Sequence, residues 1–298
     1  MSVVHTLRSV ASPALDQLML FVTQIGSEYV YVTLLVLAFV AVDAKRSRSL
    51  ALALLASLYL NQVLKMVFAT QRPFHIDPGV APVDAVATAP GNGFPSGHAQ
   101  GIVTFWTAAA VYVRRRWFAA LATAVVVLVS LSRVYLGLHQ PIDVVGGLAF
   151  GLAVVAVSFY LQRRRVRIGR AATVVGGLVA PLALQLVYPL ELSGMLLGAF
   201  AAFAVGPEII RHDTSGPVAG RVVLAVIALA LVFAALLGSS ALLPEEVKRN
   251  AVGSFVRYLL IGCVGTVLVP WLGRVTGLVP RESAATAAGA SSPTGTAA

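Results

Sequence analysis

The residues of this chain best suited to chemistry fall in three short groups at the edges of apolar runs. The first is Lys65 and Arg72, followed by Pro73. Seven residues of helix make about two turns, so the two cations share one face roughly 10 Å apart. Pro73 disfavours helix at Arg72 and ends it there. The second group is Pro95-Ser96-Gly97-His98, just before the apolar run 102–113. A Ser-Gly pair at a helix start offers unpaired backbone N–H groups and a hydroxyl, which suit an anion. The third is Ser132-Arg133, then His139 and Asp143, with Pro141 fitted to the first turn of a helix beginning there. His139 and Asp143, four apart, can meet on one side of that start. Three cations, two histidines, a carboxylate and a helix N-terminus are the parts of a site for a phosphoryl group.

The elements that must hold these groups are membrane helices. The chain has 298 residues, of which 58% are hydrophobic and 11% charged, and its mean hydropathy is +0.86. That is far more apolar than a soluble domain, and several stretches approach the roughly 20 apolar residues that cross a ~30 Å hydrocarbon core. The backbone of such segments must satisfy its own hydrogen bonds, so the fold class expected is all-α, a polytopic transmembrane helix bundle. Apolar runs and breakers give nine candidate spans, at 27–43, 49–70, 98–113, 117–134, 142–161, 171–187, 193–210, 221–243 and 251–273. Before them, 13–24 reads either as an amphipathic helix on the outer surface or as the start of one long tilted helix reaching residue 42. No removable signal peptide is read at the N-terminus. The tail from Ser283 is rich in Ala, Ser, Thr and Gly and is expected to be disordered. Cys263, the single cysteine, lies within a span and forms no intrachain disulfide.

The net charge of +10 does not point to nucleic acid, because the basic residues sit in short clusters between apolar runs. Lys45/Arg46/Arg48, Arg114/Arg115/Arg116 and Arg163/Arg164/Arg165/Arg167/Arg170 follow spans one, three and five, with Arg211, Arg221, Arg274 and Arg281 continuing on the same side. The positive-inside rule makes that side cytoplasmic. All three chemical groups then fall on the opposite, non-cytoplasmic side. Ionisable residues at membrane depth cost about 2.5–3.5 kcal/mol each on insertion scales, so their convergence marks a functional site.

The patterns K-x6-RP from Lys65 to Pro73, PSGH at 95–98 and S-R-x5-H-x3-D from Ser132 to Asp143 together resemble the three-part signature of the type 2 phosphatidate phosphatase family. That superfamily includes membrane lipid phosphate phosphatases and shares its site with the vanadium haloperoxidases. The resemblance implies that His139 is the nucleophile, forming a phosphohistidine, with Asp143 orienting it and His98 as general acid. It further implies that Lys65, Arg72, Arg133, the Ser96 hydroxyl and the Gly97 amide hold the phosphoryl oxygens, and that no metal or other cofactor takes part. Elementary chemistry agrees: an imidazole nucleophile needs its other nitrogen protonated and held, and fixed cations can balance the charge of the transferring group.

The expected function is therefore an integral membrane lipid-phosphate phosphatase, acting on a polyprenyl diphosphate, phosphatidate or phosphatidylglycerol phosphate. The alternatives are a lipid phosphotransferase using the same site, or a non-catalytic lipid-binding or transport protein. The expected organisation is an outer-surface amphipathic segment at 1–26, a phosphatase core of about five spans at 27–165, a helical membrane extension of about four spans at 166–282 and the tail at 283–298. The expected setting is a multi-pass cell-membrane protein whose partners are membrane lipids and a lipid phosphate. The extension, with Glu191, Glu208, Arg211, His212 and Asp213 near span ends, reads as a scaffold for packing or homo-oligomerisation, or else as a groove for a lipid tail or partner. His75 and Asp77 read as a solvated loop pair, and Trp106 and Tyr135 as core residues.

Overall fold

The computed structural model describes residues 1–164, 169–190 and 192–279. Arg165, Arg167, Glu191, Arg281 and the tail from Ser283 lie outside the described residues. Two helices, α1 (Ser2–Arg8) and α2 (Pro13–Gln24), precede α3 (Glu28–Leu37), which continues into a π-helical turn, Ala38–Val42. The long α4 (Ala44–Phe68) leads to two one-turn helices, α5 (Pro73–Ile76) and α6 (Val83–Val86). The first half closes with α7 (Gly97–Val113), α8 (Arg116–Tyr135) and α9 (Pro141–Arg163). The second half contains α10 (Arg170–Val187), α11 (Ser193–Ile209), α12 (Val218–Leu242), the short α13 (Glu245–Arg249), α14 (Ala251–Cys263) and α15 (Val269–Val275). Among the described residues there is no strand, and the all-α bundle expected from composition is what forms.

Six segments are long and apolar enough to cross a membrane, with α2 and α3 a seventh if joined across a 43° bend. The expectation of nine spans is corrected accordingly. Helices stand at all nine positions, but α7 and α11 have 17 residues each, about 25 Å of helix and short of a ~30 Å core. A serine cap precedes α7 and a left-handed Arg114 stops it. The bend at residues 25–27 breaks the long tilted helix that was one of the two readings of the N-terminal segment. That segment is docked, since Arg8 pairs with Asp16 at 2.5 Å and the Tyr135 hydroxyl at the end of α8 donates to Asp16 at 2.8 Å.

The long α4 is the shared wall of the two halves, packing on α7 and α9 on one side and α11 on the other. Between α4 and α7 runs a buried polar ladder. Asn61 donates to Gln100 Oε1 at 2.9 Å, Gln100 donates to the Ser57 carbonyl at 2.6 Å, and the Ser57 and Thr104 hydroxyls meet at 2.9 Å. In an apolar surround each such group needs its partner, so the ladder fixes register as well as proximity. At the other end Arg48, one of the basic residues read as a topology signal, pairs with Glu208 at 2.8 Å and donates to the Phe203 and Ala204 carbonyls. It is thus also a tie between α4 and α11.

Within the second half, α11 meets α14 along a row of small residues. A Cβ on Gly198 would lie 2.3 Å from the Phe255 carbonyl oxygen, and one on Gly206 would lie 2.2 Å from Thr266 Oγ1. Such rows let helix backbones approach where lipid gives no hydrophobic drive to associate. Gly198→Leu is expected to wedge these helices apart and destabilise the protein by about 1–3 kcal/mol, read as a lowered thermal midpoint in detergent; an unchanged midpoint would refute the close packing of this pair.

Candidate active site

The site is assembled where α4 ends and α7 and α9 begin. Lys65 lies in the last turn of α4, which stops at a left-handed Ala69. The chain returns over it: Lys65 Nζ donates to the Asn92 carbonyl, Asn92 Nδ2 donates to the Lys65 carbonyl at 2.9 Å, and the Phe94 amide donates to Thr70 Oγ1 at 2.7 Å. Arg72, the residue before Pro73, caps α5 and is only 2% exposed. Its guanidinium donates to the carbonyls of Gly91 at 2.8 Å, Pro90 at 2.7 Å and Leu138 at 3.1 Å, and Nη1 reaches His139 Nε2 at 2.8 Å. One buried cation therefore joins the 90–91 loop to the loop that carries the histidine.

That second loop turns on Gly137, whose φ of 70° is left-handed and whose Cβ would lie 2.6 Å from the Val80 carbonyl oxygen. His139 then sits one residue before the capping box of α9, formed by Gln140 and Asp143 around Pro141. Asp143 Oδ2 accepts from the Gln140 amide at 2.9 Å and meets His139 Nδ1 at 3.3 Å. Arg72 can only donate, so His139 Nε2 accepts and Nδ1 carries the proton toward the carboxylate. Arg133, 1% exposed, donates from Nη1 to Thr23 Oγ1 at 2.9 Å and Thr88 Oγ1 at 3.0 Å, and from Nη2 to the Thr88 carbonyl at 3.2 Å. Its buried Nε has no partner among the described residues.

The start of α7 is bound to the start of α9, because the Ser96 amide donates to the Asp143 carbonyl at 2.9 Å. Gly147 and Gly151 make this contact possible. A Cβ on either would lie 2.5 Å from the Ser96 carbonyl oxygen or 2.7 Å from that of Gln100. The Ser96 hydroxyl oxygen accepts from the Ala99 amide at 3.4 Å as the α7 N-cap, and the residue is fully buried. A helix start needs its first amides satisfied, and accepting one leaves the hydroxyl its own proton to donate.

Lys65, Arg72, Gly97, His98, Arg133 and His139 line one cavity of about 170 Å³, with Asp143 behind His139. The sequence-predicted residues are thus brought together, with Ser96 bound to Asp143 through its amide beside the cavity. His98 is pressed from outside by Gly26, where a Cβ would lie 3.0 Å from its ring. His139 is held well below the ordinary histidine value, first by burial and then by Arg72, Arg133 and Lys65. A neutral imidazole with its lone pair on Arg72, in a cavity that Lys65 and Arg133 also line, is suited to group transfer through nitrogen. His75 lies elsewhere, edge-on to Phe74, and Asp77 caps a turn at Gly79. Trp106 packs against Phe105 and Phe118. Thr23 and Thr88, which hold Arg133, and Asn61 and Gln100, which tie α4 to the start of α7, are not singled out by sequence; uncharged, they carry no signal beyond being polar in an apolar chain.

The PAP2 superfamily profile matches residues 46–167, and one described as PAP2 superfamily phosphatase, transmembrane extension, matches residues 190–282. An undecaprenyl-diphosphatase of Sulfolobus acidocaldarius is 37% identical over 144 residues, 46% of this chain and 66% of that protein. The putative undecaprenyl-diphosphatase YbjG of Escherichia coli is 35% identical over 103 residues, 35% of this chain and 50% of that protein. The chain thus spans a little under two thirds of the first relative and half of the second. The crystal structure of a transmembrane PAP2 type phosphatidylglycerolphosphate phosphatase from Bacillus subtilis aligns with a TM-score of 0.47 and 24% identity, covering 56% of this chain and 86% of that one.

Nitrogen NMR of histidine-labelled protein is expected to show His139 as the neutral Nδ1–H form at pH 6.5, half-protonated only at lower pH, because burial and cations oppose its charging. Arg72→Ala should move that titration upward. A His139 already half-protonated at pH 6.5 in the unmodified protein would contradict the arrangement.

Proposed function

Since the chain belongs to the PAP2 superfamily, matching both its domain and its transmembrane extension, we propose that it is an integral membrane lipid-phosphate phosphatase working through a phosphohistidine. The observation that carries this reading is the pairing of His139 with Asp143 at the floor of a cavity walled by Lys65, Arg72 and Arg133. Binding a headgroup would need the cations alone. An imidazole tautomer fixed with its lone pair on the cavity side serves attack on phosphorus.

In the proposed reaction the phosphoryl group enters between the three cations, and Arg72 Nη1 moves from His139 Nε2 to a phosphoryl oxygen. Nε2 forms a bond to phosphorus as the bond to the leaving oxygen breaks, and His98 gives that oxygen its proton. Asp143 stabilises the proton retained on Nδ1. Water, deprotonated by His98, then attacks the phosphohistidine and releases inorganic phosphate and His139. Three fixed cations and the amides at the start of α7 balance the charge on the equatorial oxygens, the task a metal ion performs elsewhere. The substrate class that best joins these features is a polyprenyl diphosphate, in line with the names of the two relatives. The positions of the arginine clusters support a cavity that opens on the non-cytoplasmic face.

Purified protein is expected to release phosphate from polyprenyl diphosphate in EDTA, with inhibition by micromolar vanadate, a mimic of five-coordinate phosphorus. His139→Ala should lower release by roughly a thousandfold or more while retaining substrate binding. Wild-type protein that is inactive in EDTA but active with added divalent metal would overturn the mechanism, and activity surviving in His139→Ala would remove its nucleophile.

A further inference from the structure

A second cavity, about 130 Å³ and almost entirely apolar, lies between α3 and α4 of the first half and α11, α12 and α14 of the second. It abuts the phosphate cavity, and Glu28, Tyr31, Leu58, Met195 and Leu196 line both. The two are therefore neighbours, one polar and one apolar, with these five residues between them. At the junction the Tyr31 hydroxyl is buried without a hydrogen-bond partner among the described residues, on a residue only 6% exposed. With the Glu28 carboxylate it marks where polar lining stops. Beyond the junction the far wall belongs to the second half: Ala199 and Phe203 of α11, Val232 of α12, and Ile261 and Gly265 of α14 and the π turn after it.

We infer that this cavity receives the hydrocarbon tail of the substrate next to its phosphate, so that the transmembrane extension is a tail-binding and chain-selecting half of the enzyme. The inference rests on the phosphatase reading above and adds which part of the chain recognises the lipid. Adjacency to the phosphate cavity argues for this occupant. A phosphate held by Lys65, Arg72 and Arg133 places the attached carbons at the Tyr31 junction, where the lining turns from polar to apolar. Burying apolar carbon there adds binding energy in proportion to the tail buried, and loss of single methylenes is worth roughly 10-fold or more in discrimination.

Two positions on the wall allow a direct test. A Cβ on Gly265 meets only Val232, at 3.6 Å, so a side chain there grows into space rather than backbone, and Ala199 faces the same space from α11. Phosphate release would be measured with farnesyl diphosphate and with isopentenyl diphosphate, which shares the head and lacks most of the tail. Wild type should prefer the longer substrate in kcat/KM, and Ala199→Phe and Gly265→Phe should each lower the long-to-short ratio at least tenfold. A ratio within twofold of wild type in both variants overturns the inference and indicates ordinary membrane lipid as the occupant, as does a wild type equally active on both substrates. A wild type inert to both instead overturns the phosphatase reading. Independently of variant folding, a diphosphate analogue with a photoreactive group in its tail should label α11 or α14 of the wild-type protein; labelling confined to other helices overturns the inference.

Discussion

Everything at the site follows from putting Arg72, Arg133 and Lys65 side by side in a protein that is otherwise apolar. Each loses most of its water on burial, and together they repel. The chain meets this with neutral oxygens: carbonyls of Pro90, Gly91, Leu138 and Thr88, hydroxyls of Thr23 and Thr88, and the Asn92 carbonyl over Lys65. A carbonyl solvates a cation without cancelling its charge. Around Arg72 and Arg133 the field that would draw in a phosphoryl group is thereby kept, whereas a ring of carboxylates would have quenched it. The loop from residue 69 to 96 takes its irregular course because its backbone oxygens must face inward.

The same demand couples the two helix starts. His139 cannot be placed by its own short loop, which turns at Gly137; it is placed by Arg72 on one nitrogen and Asp143 on the other. Asp143 in turn belongs to the cap of α9, and its carbonyl holds the amide that begins the PSGH turn. Local helix-capping requirements and the arrangement of reactive groups are thus met by the same atoms, and glycines 147 and 151 bring the two helix starts close enough for it.

Much of this was legible in the sequence because charge is conspicuous in an apolar chain. Lys65, Arg72, His98, Arg133, His139 and Asp143 stood out by type, and their spacing located the helix ends that meet. The uncharged partners were not legible. Ser57, Asn61, Gln100 and Thr104 follow helical spacing within α4 and α7, yet nothing in one helix says which residue of another will answer it. Ser96 was legible as a residue at a helix start, and its role as the cap of α7 follows from that position. The extension was legible as apolar helices; that α11 lies against α14 depends on the glycine row, and that it lies against α4 on Arg48, features a hydropathy reading cannot rank. For α7 and α11 both apolar character and length were legible, and what did not hold was counting runs of about 17 residues as full spans.

The position of α4 carries one further consequence. Along much of its length the helix that ends in Lys65 meets protein on both sides, α7 and α9 on one and α11 on the other. In a bundle lacking the second half, the face that α11 covers would be pressed by lipid, and the tilt of α4 would answer to bilayer thickness and to the lipids of the moment. Here that face has a fixed neighbour with glycine-close packing behind it. The depth of Lys65, and through Asn92 the loop that closes over it, is thereby insulated from changes in the membrane around it.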